Sequence, residues 1–271
     1  MIQRCYPQGK RKAFNITYDD GILQDVRFVE LLNKYGLKGT FNLNSQLMEQ
    51  EFEWVHPNGM VVKRLSKDAV RHLYDGHEVA SHTLTHPYMT GKSEEEQMGE
   101  IGEDKRRLEE LFGRVVAGFA VPFSYYDEKI AACVRKCGFE YGRCSEPSHS
   151  YSPWQDVYRW KTGIFHLAPG FMDFVDGFFH TDEELALCQI VGHSYDLDAE
   201  QMWETMEGIF RKIAEDPDIL PMTHLEIVRY ITAMSKAQIT SKFVRNLSET
   251  DLWFLVDGSP IQLYSGEEYH I

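Results

Sequence analysis

The sequence predicts an α/β fold in which parallel strands, each followed by a helix, curl toward a (β/α) barrel. Three observations predict it. The first two thirds of the 271 residues alternate short β-type runs with helix-type runs. The helix-type runs stop at Gly36, Gly76 and Gly113, where a glycine ends a helix without steric cost. The residues able to do chemistry, Asp19, Asp20, His82, His86 and His193, fall just behind strand-type runs, where a barrel of right-handed β-α-β crossovers gathers its loops.

Each element has its own signal. Ala13 to Thr17 alternates as a strand does, and Leu23, Val26, Leu31, Leu32 and Tyr35 mark the following helix. Gly39 to Leu43 is the second strand. Ser66 opens a helix that runs to Gly76, and His77 to Ser81 is the third strand. Ser93 and Glu96 form a capping box for a helix that keeps its spacing to Gly113, followed by a strand at Val115 to Phe119. A helix from Asp127 to Cys137 and a strand at Phe139 to Tyr141 continue the series. Residues 144 to 182, rich in aromatics, Pro and Ser, read as a long ordered loop region over the site. Leu185 to Val191 is an apolar strand. Helices follow from Glu200 to Ala214 and from the Thr223–Glu226 cap toward Met234. Leu252 to Val256, Asp257-Gly258 and Ile261 to Tyr264 form a β-hairpin on an Asp-Gly turn. The expected division is a barrel over 1–240 with a small C-terminal β-hairpin appendage over 241–271 packed on it.

Composition narrows the function classes. At 43% apolar and 13% aromatic residues the chain can bury a sizeable core without staples. Its five cysteines, Cys5, Cys133, Cys137, Cys144 and Cys188, form no C-x-x-C pair and read as buried thiols. The first ten residues lack an apolar stretch behind a basic start, and no run of about 18 apolar residues occurs. A cytoplasmic chain with no membrane partner is therefore expected, in which the sequons at Asn15 and Asn246 carry little meaning. A formal charge of −14 without a basic cluster excludes nucleic acid as a partner and favours a neutral or cationic substrate. Nothing in the sequence sets an oligomeric state.

Two adjacent carboxylates at a strand end, Asp19-Asp20-Gly21, repel each other unless a cation or a proton lies between them. His82 and His86, at i and i+4 behind another strand, are expected to share one side of a short helical turn, a spacing that also serves helical zinc motifs. Two imidazoles and one carboxylate are a ligand set of catalytic zinc sites that leaves positions open for water and a substrate oxygen; the cation acidifies the water and polarises a carbonyl. Cobalt, nickel or manganese also suit such donors. His193, behind the Leu185 to Val191 strand, is placed to act as a general acid.

Together, Thr17-Tyr18-Asp19-Asp20-Gly21, the Ser81 to His86 segment and Gly192-His193 resemble the polysaccharide deacetylase family, the NodB-homology or carbohydrate esterase family 4 domain. The resemblance covers about residues 13 to 232. It implies a distorted (β/α) barrel with Asp19 as catalytic base, Asp20, His82 and His86 as ligands of one divalent cation, and His193 as general acid. The reaction implied is removal of an N-acetyl group, less often an O-acetyl group, from a sugar.

The family's Arg-x-Pro-Tyr motif corresponds to Ala120-Val121-Pro122-Phe123 here. In the family that Arg pairs with the base and a backbone N–H of the motif stabilises the oxyanion. Phe123 retains a backbone donor, whereas Ala120 lacks the guanidinium, so Arg143 or Arg159 is expected to fill the vacated space. Trp160, with Tyr88, Tyr125, Trp154 and Trp203, is a candidate for a sugar-stacking platform. Two other readings stay open: a metal-dependent hydrolase of a small non-sugar amide or imide, and a non-catalytic carbohydrate-binding protein.

Overall fold

A computed structural model describes residues 2–48 and 53–271. In chain order the elements are β1 (Ile2–Cys5), β2 (Lys12–Asp19), α1 (Asp25–Lys34), β3 (Gly39–Leu43), β4 (Glu53–Val55), β5 (Val61–Lys63), α2 (Lys67–Val70), β6 (Glu78–Ser81), α3 (Glu94–Phe112), β7 (Gly118–Ala120) and α4 (Glu128–Lys136). There follow β8 (Tyr141–Pro147), β9 (Trp160–Thr162), β10 (Ile164–Phe165), α5 (Phe171–His180), β11 (Ala186–Gly192), α6 (Ser194–Ala199), α7 (Trp203–Glu215), β12 (Ile219–Pro221) and α8 (His224–Met234). The chain ends in β13 (Gln238–Ile239), β14 (Phe243–Arg245), β15 (Leu252–Val256), β16 (Ser259–Leu263) and β17 (Glu268–His270).

The main sheet runs β10-β11-β2-β3-β6-β7-β8-β9 with every pair parallel, and β12 adds a further parallel pairing with β2. Its two end strands, β9 and β10, are successive pieces of one chain segment joined by Gly163 alone. The sheet therefore closes into a distorted barrel through a covalent link. A Cβ on Gly163 would lie 2.5 Å from the Gln189 carbonyl oxygen, so a side chain does not fit at this seam.

Alternation along β2 shows how the barrel is filled. All eight of its residues are buried. Phe14 and Tyr18 face the helices, where Tyr18 stacks on Phe28 of α1 at 4.3 Å and Phe14 meets Phe210 of α7 edge-on. Asn15, Thr17 and Asp19 face inward, as the period of two requires. There Asn15 Oδ1 accepts from Gln189 (2.8 Å), whose own amide oxygen accepts from the Trp160 indole (2.8 Å), and Thr17 Oγ1 accepts from Asn42 (2.8 Å). The polar half of the alternation lines a hydrogen-bonded interior that leads up to Asp19.

The helix caps match the expected residues: Ser93 and Thr223 form capping boxes, Asp127 caps α4, and Gly113 closes α3 in the left-handed region. Several expectations are corrected. The helix opened by Ser66 lasts four residues, after which i to i−3 bonds (Leu73 to Val70, Asp75 to His72) carry the chain to Gly76 as turns. Strand β7 starts at Gly118 and β8 at Tyr141, each later than expected; at β8 the Phe139 N–H is still bonded to Val134 at the close of α4. The 144–182 stretch holds β9, β10 and α5, and α5 buries Phe171, Phe174, Val175 and Phe178 on one helical face.

The terminal hairpin β15–β16 turns on Asp257 and Gly258, both at positive φ as a type I′ turn demands. It is joined by β1 from the other end of the chain, with Ile2 opposite Val256. β13, β14 and β17 form a second small sheet. Tyr6, Phe254 and Leu263 pack in one cluster with Trp160 and Leu187 of the barrel. All five cysteines are free thiols, four of them buried. Among the described residues no helix is long and apolar enough to cross a membrane.

Candidate active site

Asp19 ends β2 and Asp20 follows it at φ 88. That left-handed step sends the two carboxylates in different directions. Asp19 Oδ1 accepts from Asn42 (2.7 Å) and pairs with Arg143, while Oδ2 lies 4.0 Å from His82 Nε2. Asp20 Oδ1 pairs with Arg64 (3.0 Å) and lies 3.5 Å from His86 Nε2. Burial by itself raises the Asp20 pKa, but the charges of Arg64, His193, His86 and His82 outweigh it and hold the carboxyl well below the usual range. Arg64 arrives on the β4–β5 hairpin, which is bridged to the Asp20-Gly21 turn by Leu65 N–H to Gly21 O and Leu23 N–H to Lys63 O (both 2.9 Å).

His82 and His86 are brought together without the expected helical turn. The segment is a loop with Thr83 at φ 69 and His86 at φ 57. Pro87 disfavours a right-handed helical conformation at His86, and side chains from outside hold the loop open. Asn44 donates to the carbonyls of His82 and Thr83, and Glu100 of α3 accepts from Thr85 N–H (2.9 Å) and Thr85 Oγ1 (2.7 Å). The two rings still meet at 4.9 Å. His82 Nδ1 donates to the Ala120 carbonyl (2.8 Å), which leaves the Nε2 lone pair facing Asp19 and the cavity. Burial lowers its pKa to about 4, against the pull of Asp19, so the ring is a neutral donor at pH 7.

His193 caps β11 opposite these residues, 27% exposed, with Nε2 4.0 Å from Asp20 Oδ2. Its Nδ1 bonds Asp196 Oδ2 at 3.0 Å. Burial opposes protonation, but the Asp196 hydrogen bond and the charges of Asp20, Asp196 and Asp19 raise its pKa to about 9. Asp196, itself pushed up by burial, is held at about 2 by hydrogen bonds from His166 and His193.

Of the two arginines expected near the base, the structure brings in Arg143. Ala120 and Arg143 are direct partners across β7 and β8, so the guanidinium reaches Asp19 from the neighbouring strand. Arg159 is corrected: it lies exposed in the turn before β9 and does not line the cavity. Trp160 is corrected too, because it is fully buried with its indole N–H on Gln189. Trp203 is also buried. The exposed aromatics beside the cavity are Phe123, Tyr88 and Tyr125, with Phe123 and Tyr88 stacked at 4.0 Å and Phe123 4.7 Å from His86.

The cavity, about 470 Å³, is lined by Asp19, Asp20, His82, His86, Phe123, Ser124, Phe165, Val191, Gly192, His193 and Tyr195. Asp20, Thr83, His86, Phe123 and Ser124 all have positive φ, a concentration of backbone strain of the kind found at functional sites. Sequence reasoning missed Arg64, Asn42, His166 and Asp196. For Asp196, three residues past His193, the spacing is a usable signal.

Asp20, His82 and His86 offer one oxygen and two ring nitrogens that all lie within 4.8 Å of one another. One acidic donor, two neutral imidazoles and a fixed tautomer at His82 fit a divalent cation. The donor set sits at the C-terminal ends of the strands of a parallel barrel, where the loops of such barrels gather. The chain is a member of the polysaccharide deacetylase family, whose model matches residues 7–142. YxkH of Bacillus subtilis, assigned as a polysaccharide deacetylase, is 24% identical over 137 residues, 50% of this chain and 46% of that protein. The chitin deacetylase of Amylomyces rouxii is 27% identical over 121 residues, 44% of this chain and 25% of its own length. The matches thus span less than half of these curated relatives. A Mycobacterium smegmatis protein assigned to the same activity has the same fold, with TM-score 0.64, 14% identity and coverage of 86% of this chain and 94% of that one. The distorted NodB-type barrel of that family is thereby shown.

Proposed function

We propose that the protein is a metal-dependent deacetylase that hydrolyses an acetyl group, N-acetyl in the first place, from a carbohydrate. The observation that carries this reading is the convergence of the Asp20, His82 and His86 donor atoms within 4.8 Å, with Asp19 and His193 in the same cavity. Asp20, His82 and His86 would hold one divalent cation, zinc first, with cobalt, nickel or manganese as alternatives. When bound, the cation supplies carbonyl polarisation and a more acidic water.

The remaining steps belong to the chain's own groups. Asp19, with Oδ1 tied to Arg143 and Asn42, keeps Oδ2 toward His82 and takes a proton from the attacking water. The water oxygen bonds to the acyl carbon, the C–N bond breaks, and His193 passes a proton from Nε2 to the departing nitrogen while Asp196 holds Nδ1. The backbone N–H of Phe123 is the proposed oxyanion donor. The faces of Phe123, Tyr88 and Tyr125 are the proposed sugar platform.

The cavity volume favours one second reading, a small amide or imide substrate, because about 470 Å³ is ordinary for a small-molecule site. One experiment separates the two: acetate release from N-acetylglucosamine oligomers by metal-stripped protein before and after zinc or cobalt, with Asp20→Ala as control. Release restored by metal in the wild type and absent in the variant supports the deacetylase. Metal binding without release from any acetylated sugar removes that substrate class and leaves the small amide.

A further inference from the structure

We infer that Tyr18, His166 and Asp196 form a hydrogen-bonded chain behind His193 that fixes the direction in which His193 faces the cavity, with His166 as a positioning residue. The inference rests on the reading of His193 as general acid. Its geometry is independent of any bound ligand.

Asp196 Oδ2 lies 3.0 Å from His193 Nδ1 and 3.2 Å from His166 Nε2. A ring nitrogen with a bare lone pair would be repelled by that carboxylate, so both nitrogens present N–H to it. His166 is 1% exposed, and burial lowers its affinity for a second proton despite Asp196. A neutral ring with its proton on Nε2 has an acceptor at Nδ1. The Tyr18 hydroxyl, 2.5 Å away, donates to it. The network thus assigns the tautomer: Tyr18 O–H to His166 Nδ1, His166 Nε2–H to Asp196, and His193 Nδ1–H to the same oxygen.

The surroundings hold this arrangement from every side. Tyr18 is stacked on Phe28 with an interplanar angle of 8°. The His166 ring is stacked on Phe165 at 4.9 Å, inclined by 21°. A Cβ on Gly192 would lie 2.2 Å from the His166 ring. Gly192 has no positive φ to require a glycine, so the missing side chain immediately before His193 is explained by the room His166 needs. His166 braces Asp196 from behind, and through Asp196 it sets His193 Nδ1–H and leaves Nε2 to the cavity.

The test uses full-length protein with ¹⁵N-labelled histidine and compares wild type, Tyr18→Phe, His166→Phe and His166→Gln. In the wild type the His166 ring is expected to show one neutral, Nε2-protonated tautomer at pH 7. Tyr18→Phe removes a single oxygen and is expected to abolish that exclusivity. His166→Phe is expected to lower kcat about 10- to 100-fold, as for other outer partners of functional imidazoles, with KM and bound zinc unchanged. His166→Gln, which keeps an N–H donor, is expected to recover part of the loss. An Nδ1-protonated or doubly protonated His166 in the wild type overturns the inference, as does wild-type kcat in a folded His166→Phe. Should His166→Phe fail to fold, Tyr18→Phe decides by the same two readouts. A wild type that turns over neither acetylated sugars nor amides removes the hydrolase reading, and the tautomer measurement still decides the hydrogen-bonded chain.

Discussion

Replacing Arg143 by Ala removes the charge partner of a carboxylate that is itself 4% exposed. Arg143 has no exposed surface, so bulk water does not screen the pair. Leaving one member of a buried ion pair behind costs about 3–5 kcal/mol. Asn42 still donates to Asp19 Oδ1 at 2.7 Å, which puts the expected loss at the lower end of that range. For a chain of this size such a loss lowers Tm by on the order of 10 °C. Turnover should fall as well, because the guanidinium no longer holds Asp19 Oδ1 and the carboxylate loses the partner that keeps Oδ2 toward His82 and the cavity. The register supplies a second half to the experiment. Ala120 stands directly opposite Arg143, so Ala120→Arg in the Arg143→Ala background returns a guanidinium from the adjacent strand and should recover much of both losses. Thermal unfolding and acetate release on the single and double variants check this. Wild-type Tm and rate in Arg143→Ala would refute the pairing argument.

Three further outcomes are expected. Asp19→Asn should bind zinc as the wild type does, measured by metal content after dialysis, yet lose turnover; a wild-type rate would remove Asp19 as the base. Zinc at about 100 times its Kd should stabilise the wild type by about 2.7 kcal/mol, and Asp20→Ala should show no such gain in denaturant titrations with and without zinc. Burial raises the carboxyl of Asp104 from its ordinary 3.8 to about 7, against the hydrogen bonds from Ser45 and Ser81. A raised folded-state pKa favours the native state most below pH 3.8, and that contribution is lost as pH rises through 7. Asp104→Asn should therefore flatten the stability profile between those values in urea unfolding; an unchanged profile would show that Asp104 does not titrate there.

The barrel was legible because its signals are local. Alternation in β2, glycine stops and capping boxes each act over a few residues, and the structure places Ser93, Thr223 and Gly113 as expected. The α5 helix was equally visible in the spacing of Phe171, Phe174, Val175 and Phe178, but the Pro- and Ser-rich stretch before it obscured the pattern. Asp19, Asp20, His82, His86 and His193 were legible as chemistry at strand ends. The helical turn at His82 was not borne out, because Asn44 and Glu100, distant in sequence, decide that loop. Arg64 was out of reach for the same reason: its approach to Asp20 depends on an isolated bridge to Ile22, distant in sequence. Choosing between Arg143 and Arg159 required the register of β8, in which Tyr141 and Arg143 share the inward face.

The Gly163 seam has a consequence for the molecule as a whole. An open sheet of this length would end in two rows of unsatisfied N–H and C=O groups, each a template on which another chain can build. Here one edge passes into the other within a single residue, so those rows shrink to strands of three and two residues. The same closure makes the distances among Asp19, His82 and His193 a property of the barrel's circumference. A side chain at position 163 would meet the Gln189 carbonyl oxygen at 2.5 Å and Phe174 at 3.0 Å, so it would strain the closure where β9 passes into β10 beside β11.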